Sequence, residues 1–194
     1  MEINFTRYML AAKSNSIRIQ SGTLRGRALS FPDRPGLRPA TGEMRETLFN
    51  WLRPHIHGMN ILDAFAGSGA LGFEALSQGA HRVDAFEIDK TACLSIQENQ
   101  RKLPESLDYN IILGDFTTHW NPYSHYDAIF LDPPYQSDLL QKSLLFLQEK
   151  TPSNTWVFIH YPLGLNLCLD EWTIIKAKTR QKRCYALLKT KQKD

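Results

Sequence analysis

From residue 60 onward, short apolar runs alternate with segments in which apolar residues recur at helical spacing. The short runs predict buried strands, and the periodic segments predict helices between them. The predicted strands are 60–65, 82–88, 110–113, 126–131 and 155–160, and the predicted helices are 70–78, 90–102 and 137–150. Strands and helices that alternate in this order predict an α/β fold, a mostly parallel sheet with helices on both faces.

The two ends of the chain depart from this alternation. Near the start, short runs at 17–19 and 27–29 flank a glycine-containing turn and predict a β-hairpin. A helix is predicted to start at Thr41 and to end at Pro54. The first 60 residues therefore hold a small extension before the α/β pattern begins.

Near the end of the chain, runs at 172–176 and 183–189 are joined by a basic turn at 178–182. They predict an antiparallel strand pair that completes a seven-stranded sheet. Three segments are expected in all: a flexible leader at 1–16, a hairpin-and-helix extension at 17–54 that faces a polyanion, and the main domain at 55–194.

Composition supports a compact protein, since 42% of the 194 residues are apolar. No apolar run approaches the roughly 20 residues of a membrane span, and the first residues lack the pattern of a secretory signal. The three cysteines are too widely spaced for a disulfide framework or a metal cluster. We therefore expect a cytoplasmic monomer with no membrane partner and no metal.

The small net charge of +3 conceals a strong asymmetry. Residues 1–60 carry nine Lys/Arg against four Asp/Glu, and residues 176–194 carry eight against one. Residues 61–175 carry six against fifteen. Basic ends around an acidic middle indicate a polyanion bound by the ends, although two solvated tails would give the same pattern.

A glycine-rich turn between Asp63 and Gly72 is the strongest local feature of the acidic middle. It satisfies G-x-G-x-x-G, which alone is a weak signal for a nucleotide site. The Asp63 carboxylate would repel a pyrophosphate and would attract an amino group, such as that of S-adenosylmethionine (SAM). Acidic residues after the next two strands, Glu87 and Asp115, would reach the ribose and the adenine. The predicted SAM site comprises Asp63, Phe65, Ala66, Gly67, Ser68, Gly69, Glu87, Ile88, Asp115, Phe116 and Asp132.

A second motif, Asp132-Pro133-Pro134-Tyr135, follows the fourth predicted strand of the α/β pattern. The prolines fix the backbone and leave acceptors, the Asp132 carboxylate and the Pro133 carbonyl. Two acceptors suit a planar NH2 group, whose nitrogen would then face the SAM methyl. Tyr135 would stack on a flipped-out base. We predict these four residues as the catalytic loop.

These motifs together resemble the class I SAM-dependent methyltransferases that act on exocyclic amines. Segments 17–19, 25–27, 37–39 and 45–52 further resemble the bacterial RsmD-type family, the guanine-N2 methyltransferases of 16S ribosomal RNA. The resemblance implies a Rossmann-like fold, SAM as cofactor, and 16S rRNA within the small ribosomal subunit, with or without ribosomal proteins, as the partner. The chain departs from the family at Gly42-Glu43, where Asp-Arg is usual, and at His160, where a glutamate is common.

The basic ends supply the candidate RNA contacts. Arginine suits phosphate because its guanidinium donates in a fork. The candidates are Arg18, Arg25, Arg27, Arg38, Thr41, Arg45, Lys182 and Arg183. Arg38 and Arg45 could instead brace the helix that starts at Thr41, and we expect a structural, hydrogen-bonded role for His160.

Three alternatives to the guanine-N2 reading stay open. The same Asp-Pro-Pro-Tyr loop could serve a DNA methyltransferase or another RNA methyltransferase, for example one acting on adenine N6. A Rossmann-type NAD-binding protein fits the glycine turn but not Asp63. A catalytically silent RNA-binding assembly factor fits the charge pattern but leaves the loop motif unexplained.

Overall fold

The computed structural model describes residues 14–34, 39–121, 124–134 and 138–191. They contain nine strands and four helices. The strands are β1 Ser14–Arg18, β2 Ala28–Pro32, β3 Asn60–Asp63, β4 Arg82–Glu87, β5 Asp108–Leu113, β6 Ala128–Leu131, β7 Trp156–Pro162, β8 Trp172–Arg180 and β9 Arg183–Thr190. The helices are α1 Gly42–Leu52, α2 Ala70–Ser77, α3 Lys90–Gln100 and α4 Leu139–Lys150.

The main sheet has seven strands in the order β5-β4-β3-β6-β7-β9-β8. The first five of these are parallel, and β9 runs antiparallel to both β7 and β8. The predicted fold class, with its C-terminal antiparallel pair, is therefore confirmed. The strand order reverses between β3 and β6, and in open α/β sheets ligands bind at the carboxyl ends of the strands at such a switch point.

Each face of the sheet carries a hydrophobic core. On one face α1, α2 and α3 contribute residues such as Leu48, Phe73 and Ile96. On the other face α4 contributes Leu140, Leu144 and Leu147. All four residues of β6 are buried. The core therefore holds this strand in place, and with it the start of the loop that follows Leu131. None of the described helices is long and apolar enough to cross a bilayer.

The N-terminal hairpin packs directly on the main domain. Gly22 lies so close to α2 that a Cβ there would be 1.7 Å from the Ser77 carbonyl oxygen, so only glycine fits. Ile19, Leu24 and Leu29 belong to the same core as Phe73. The extension predicted at 17–54 thus shares a hydrophobic core with the sheet.

Two sequence boundaries need correction. Residues 14–16, predicted as part of the leader, pair with 30–32 in β1 and β2, because strand pairing uses the backbone and does not require apolar side chains. The basic turn predicted at 178–182 is shorter, since β8 continues to Arg180 and pairs with β9 throughout. The turn is made by residues 181–182, with Gln181 at a φ of 54°. The rest of the leader, residues 1–13, lies outside the described residues.

Arg45 is buried within the fold, and this corrects its assignment to RNA. Its side chain is 4% exposed and forms an ion pair with Glu74, which is 1% exposed, at 3.1 Å. A second bond from its guanidinium reaches the Arg18 carbonyl oxygen at 2.8 Å. Burial lowers the pKa of Arg45, while the Glu74 carboxylate opposes that shift. Arg45 therefore braces α1 against α2 and the hairpin.

We expect Arg45→Ala to destabilise the protein by about 3 kcal/mol, because it leaves the buried Glu74 carboxylate without its counter-charge. For a chain of this length the melting temperature should fall by about 6 to 12 °C. Arg53→Ala, at the exposed end of the same helix, is the control and should change the melting temperature little. An Arg45→Ala protein with wild-type stability and weakened RNA binding would return Arg45 to the RNA surface.

Candidate active site

Three acidic side chains converge at the switch point of the sheet. Asp63 ends β3, Glu87 ends β4, and Asp132 follows β6 directly. Asp63 and Phe130 are register partners in neighbouring strands, so the loop at Asp132 leaves the sheet beside Asp63. The edge therefore concentrates negative charge, which suits a ligand with a positive group.

The glycine turn lies against Glu87. The Gly67 N–H donates to Glu87 Oε2 at 2.8 Å, and the Asp89 N–H donates to Oε1 of the same carboxylate at 2.8 Å. Gly67 and Gly69 have φ values of 55° and 76°, which glycine adopts readily. A Cβ at Gly69 would lie 3.1 Å from Phe73 and Ile96 side-chain atoms. The turn is thus closed against α2 and α3, with Ala66 and Ser68 buried in it.

Asp63 is the most unusual group of the site. Its side chain is buried and forms no ion pair with a described cation, and neither carboxylate oxygen accepts a hydrogen bond of good geometry from a described residue. Burial raises the pKa of Asp63 to about 7, and the nearby charges of Asp132 and Glu87 act in the same direction, while the backbone N–H groups of Phe65 and Gly72 oppose the rise. A buried carboxylate without a counter-charge is costly. The ammonium group of a SAM molecule would supply that counter-charge.

The predicted adenine side of the site is partly corrected. Phe116 is buried and packs edge-on against Phe65 and Phe146, so it belongs to the core and has no free face for an adenine. Asp115 is exposed, and its Oδ1 accepts from the backbone and the hydroxyl of Thr117, both at 2.7 Å. Asp115 therefore holds its own turn.

Two exposed aliphatic residues stand beside that position. Ile88, a predicted cofactor contact, is 75% exposed, and Leu113, which the sequence analysis missed, is 49% exposed. Leu113 ends β5, and Ile88 directly follows Glu87, the last residue of β4 and the register partner of Leu113. A flat apolar ring would bury both. The signal for Leu113 was its place directly before Gly114-Asp115, at a strand end, although the apolar run around it indicated burial.

The predicted catalytic loop leaves β6 at Asp132. Pro133 is buried and Pro134 is exposed. Asp132 Oδ1 lies 2.8 Å from Nδ1 of His160, a buried residue of the neighbouring strand β7. The hydrogen bond expected of His160 is present, and its partner is the Asp132 carboxylate. Tyr135, the fourth predicted residue of the loop, lies outside the described residues.

Most predicted RNA contacts lie at the surface. Arg18, Arg25, Arg27 and Lys182 are exposed, and Arg183 is half-buried. Arg38 lies outside the described residues. Among these groups the Arg18 guanidinium donates to the Gly26 carbonyl oxygen at 2.9 Å, which holds the hairpin turn.

The basic C-terminal hairpin is attached to α1. Lys178 Nζ donates to the Thr47 hydroxyl at 3.1 Å, and Arg180 forms an ion pair with Glu43 at 3.1 Å. Thr41, predicted as an RNA contact, caps the same helix by accepting from the Met44 N–H at 3.3 Å. Both basic hairpins therefore contact α1, since Arg45 joins the N-terminal one to it.

Comparison with known proteins assigns the family. A family model described as Conserved hypothetical protein 95 matches residues 17–189. The chain belongs to this family. The match includes the hairpin and α1 as well as the sheet, so the extension is a part of the family's common structure.

Two named relatives and one solved structure are similar to this chain over most of its length. Ribosomal RNA small subunit methyltransferase D of Buchnera aphidicola is 39% identical over 181 residues, which cover 89% of this chain and 93% of that protein. The Haemophilus influenzae protein of the same name is 38% identical over 170 residues, covering 84% and 88%. The solved structure of Escherichia coli yhhF aligns with a TM-score of 0.81 at 31% identity, covering 91% of this chain and 98% of that one.

Gly42 and Glu43, singled out in the sequence as a departure from the resembled pattern, lie at the start of α1. A Cβ at Gly42 would lie 3.0 Å from Gln20 Nε2, so the hairpin approaches the start of α1 closely. Glu43, the next residue, is the ion-pair partner of Arg180. The cation of this pair thus comes from β8, and α1 supplies the anion.

No group of three or more possible metal ligands occurs within the described ranges.

Proposed function

We propose that this protein transfers a methyl group from SAM to the exocyclic N2 amine of a guanine in 16S rRNA of the small ribosomal subunit. The observation that carries the proposal is the buried Asp63 carboxylate, which forms no ion pair with a described residue and lies beside the Asp132-Pro133-Pro134 loop. The names of the relatives support ribosomal RNA as the substrate. The RsmD-type resemblance supports the guanine amine.

The cofactor position follows from the charges and the exposed aliphatic residues. Asp63 would take the ammonium group, and Glu87 would take the ribose hydroxyls in exchange for its bonds to the turn. Ile88 and Leu113 would cover the adenine, whose amine would reach Asp115. The bound cofactor would supply an electrophilic methyl group on a sulfonium.

The loop would orient the acceptor nitrogen. The Asp132 carboxylate and the Pro133 carbonyl would each accept one hydrogen of the planar NH2 group. This leaves the nitrogen lone pair directed at the methyl carbon, which is positioning and electrostatic preorganisation. The new N–C bond would form as the S–C bond of the cofactor breaks, with the electron pair left on sulfur and a proton lost from the amine to solvent. Tyr135 remains a predicted stacking partner for the flipped base.

The basic hairpins would bind the RNA backbone around this edge. Both hairpins contact α1. The C-terminal hairpin also reaches the loop through His160, since Tyr185 of β9 stacks on His160 and His160 is hydrogen-bonded to Asp132. Phosphate contacts of this kind give affinity and strong salt dependence without sequence choice. The shape of the assembled subunit would then select the guanine.

Ligand-induced thermal shift tests the cofactor class. S-adenosylhomocysteine should raise the melting temperature in proportion to the logarithm of its concentration, and NAD should not. Stabilisation by NAD alone would contradict the proposal and favour a dinucleotide-binding protein.

We expect the double variant Arg25→Ala/Arg27→Ala to bind RNA more weakly at low salt and to lower the slope of log affinity against log salt by about one unit per residue. Lys150→Ala, on α4 at the opposite face of the sheet, is the control and should leave the slope unchanged. An unchanged slope in the double variant would remove both arginines from the interface.

A further inference from the structure

His160 holds the central carboxylate of the catalytic loop. It is 5% exposed, and its Nδ1 lies 2.8 Å from Asp132 Oδ1. Leu131 and Ile159 are register partners in β6 and β7, so Asp132 and His160 occupy the next position on two neighbouring parallel strands. The contact is therefore set by the sheet, and it does not depend on the course of the loop beyond Asp132.

The imidazole ring is itself fixed by stacking. The centroids of the His160 and Tyr185 rings are 4.9 Å apart, and the angle between the ring planes is 11°. Tyr185 is fully buried and in turn stacks on Phe158 at 6.4 Å and 17°. His160 and Tyr185 are register partners in β7 and β9, which places the two rings on the same face of the sheet. The direction of the Nδ1–H bond is thereby determined.

A carboxylate offers only acceptors, so Nδ1 must be the donor of this bond whether or not the ring is charged. The bond occupies Oδ1 and leaves Oδ2 as the carboxylate oxygen for an incoming amine. It also offsets the repulsion that Asp132 meets from Asp63, whose pKa that repulsion helps to raise. The side chain of Asp132 is thus held in one orientation before any substrate arrives.

We propose that His160 is a positioning residue that orients the Asp132 carboxylate for methyl transfer. The inference rests on the proposed function, since it concerns the geometry of the same loop. His160 acts through Asp132 and does not touch the reacting atoms. The other elements of the site, such as the glycine turn, do not depend on it.

Three variants test this role. His160→Ala removes the donor and should lower kcat by about 10- to 100-fold, by analogy with groups that orient metal-binding side chains. The KM for RNA and the affinity for SAM should stay close to wild type. His160→Asn places an amide N–H near the former Nδ1 and should recover most of the lost kcat. Cys184→Ala, a buried β9 neighbour of Tyr185 on the opposite face, is the control for lost packing alone.

A nuclear magnetic resonance measurement makes the test independent of turnover. A protected imidazole N–H proton of His160 should be visible in the wild type and should be lost in Asp132→Ala. If the resonance is present but no nucleic acid is methylated, the proposed function fails while the contact stands. If the wild type is active and His160→Ala keeps wild-type kcat, the inference fails and the proposed function stands. Absence of the resonance, or a His160→Asn protein that is as stable as wild type but as slow as His160→Ala, would also overturn the inference.

Discussion

Asp132→Ala is expected to lower kcat for methyl transfer by about 1000-fold, the effect of removing a preorganised group that stabilises the transition state. The variant loses the acceptor that would hold one hydrogen of the substrate amine. Pro133, whose carbonyl would hold the other, is buried and remains in place. The rate should therefore fall far but not to that of the uncatalysed reaction.

Cofactor binding should survive the same change. Asp132 raises the pKa of Asp63 by repulsion, so its removal makes Asp63 ionise more readily. This gain offsets the loss of the attraction that Asp132 itself exerts on the positively charged cofactor, so affinity for SAM at neutral pH should stay close to that of the wild type. Isothermal titration with SAM, together with single-turnover rates, separates the two effects.

Asp138→Ala provides the matched control for charge. Asp138 lies at the start of α4, is mostly exposed and forms an ion pair with Lys142. Like Asp132→Ala, Asp138→Ala removes one negative charge, but from the end of the β6–α4 connection that adjoins α4. It should leave kcat nearly unchanged. Loss of SAM binding in Asp132→Ala, with unchanged chemistry once SAM is saturating, would contradict the assigned role.

Asp63→Asn is expected to weaken SAM binding by about 100-fold or more, because the variant leaves a buried ammonium group without its counter-charge. The same variant should be more stable than the wild type when no ligand is bound. Burial raises the pKa of Asp63 from 3.8 to about 7 in the folded protein. The native state therefore binds this proton more tightly than the unfolded state, and the group costs stability progressively as pH rises from about 4 through 7.

The pH dependence of the melting temperature tests this expected gain in stability. At pH 8 the melting temperature of ligand-free Asp63→Asn should exceed that of the wild type by about 3 °C or more, the shift produced by 1 kcal/mol in a chain of this length. The difference should shrink towards zero as pH approaches 4. Asp84→Asn should show the opposite sign, since the buried Asp84 carboxylate is paired with Arg82 and accepts from the Tyr126 hydroxyl at 2.9 Å. An Asp63→Asn protein that is less stable than the wild type at pH 8 would contradict this account.

The sequence pattern predicted the sheet well because its strands are short, apolar and separated by amphipathic helices. Each of the strands and helices predicted from residue 60 onward is present, with ends shifted by a few residues. The acidic residues of the site could also be placed, because the carboxyl ends of parallel strands meet at one edge. The strand order, and hence the switch point, came from the structure.

Long-range pairs account for what the pattern missed. Arg45 falls at helical spacing with Leu48 and Leu52, both buried, so its place on the apolar face of α1 was visible. Its partner Glu74 lies 29 residues away in another helix, and no local period connects the two. Phe116 was misplaced for the same reason, since Phe146, which covers it, belongs to α4.

The His160 contact has a similar origin. Asp132 directly follows β6, and His160 lies within β7, one position after the register partner of Leu131. The sequence places both residues near strand ends, but only the adjacency and register of β6 and β7 bring their side chains within hydrogen-bond distance. The Tyr185 ring that stacks on His160 comes from a third strand, β9, which pairs with β7.

The transfer of labelled methyl groups tests the central claim most directly. Purified protein is incubated with tritiated SAM and small ribosomal subunits from cells that lack this gene, alongside naked 16S rRNA and duplex DNA. The account predicts label in the subunits, mapped to N2 of one guanine, and its loss with Asp132→Ala. Label at an adenine or in DNA alone, or no label in any substrate by a protein that binds SAM, would contradict it.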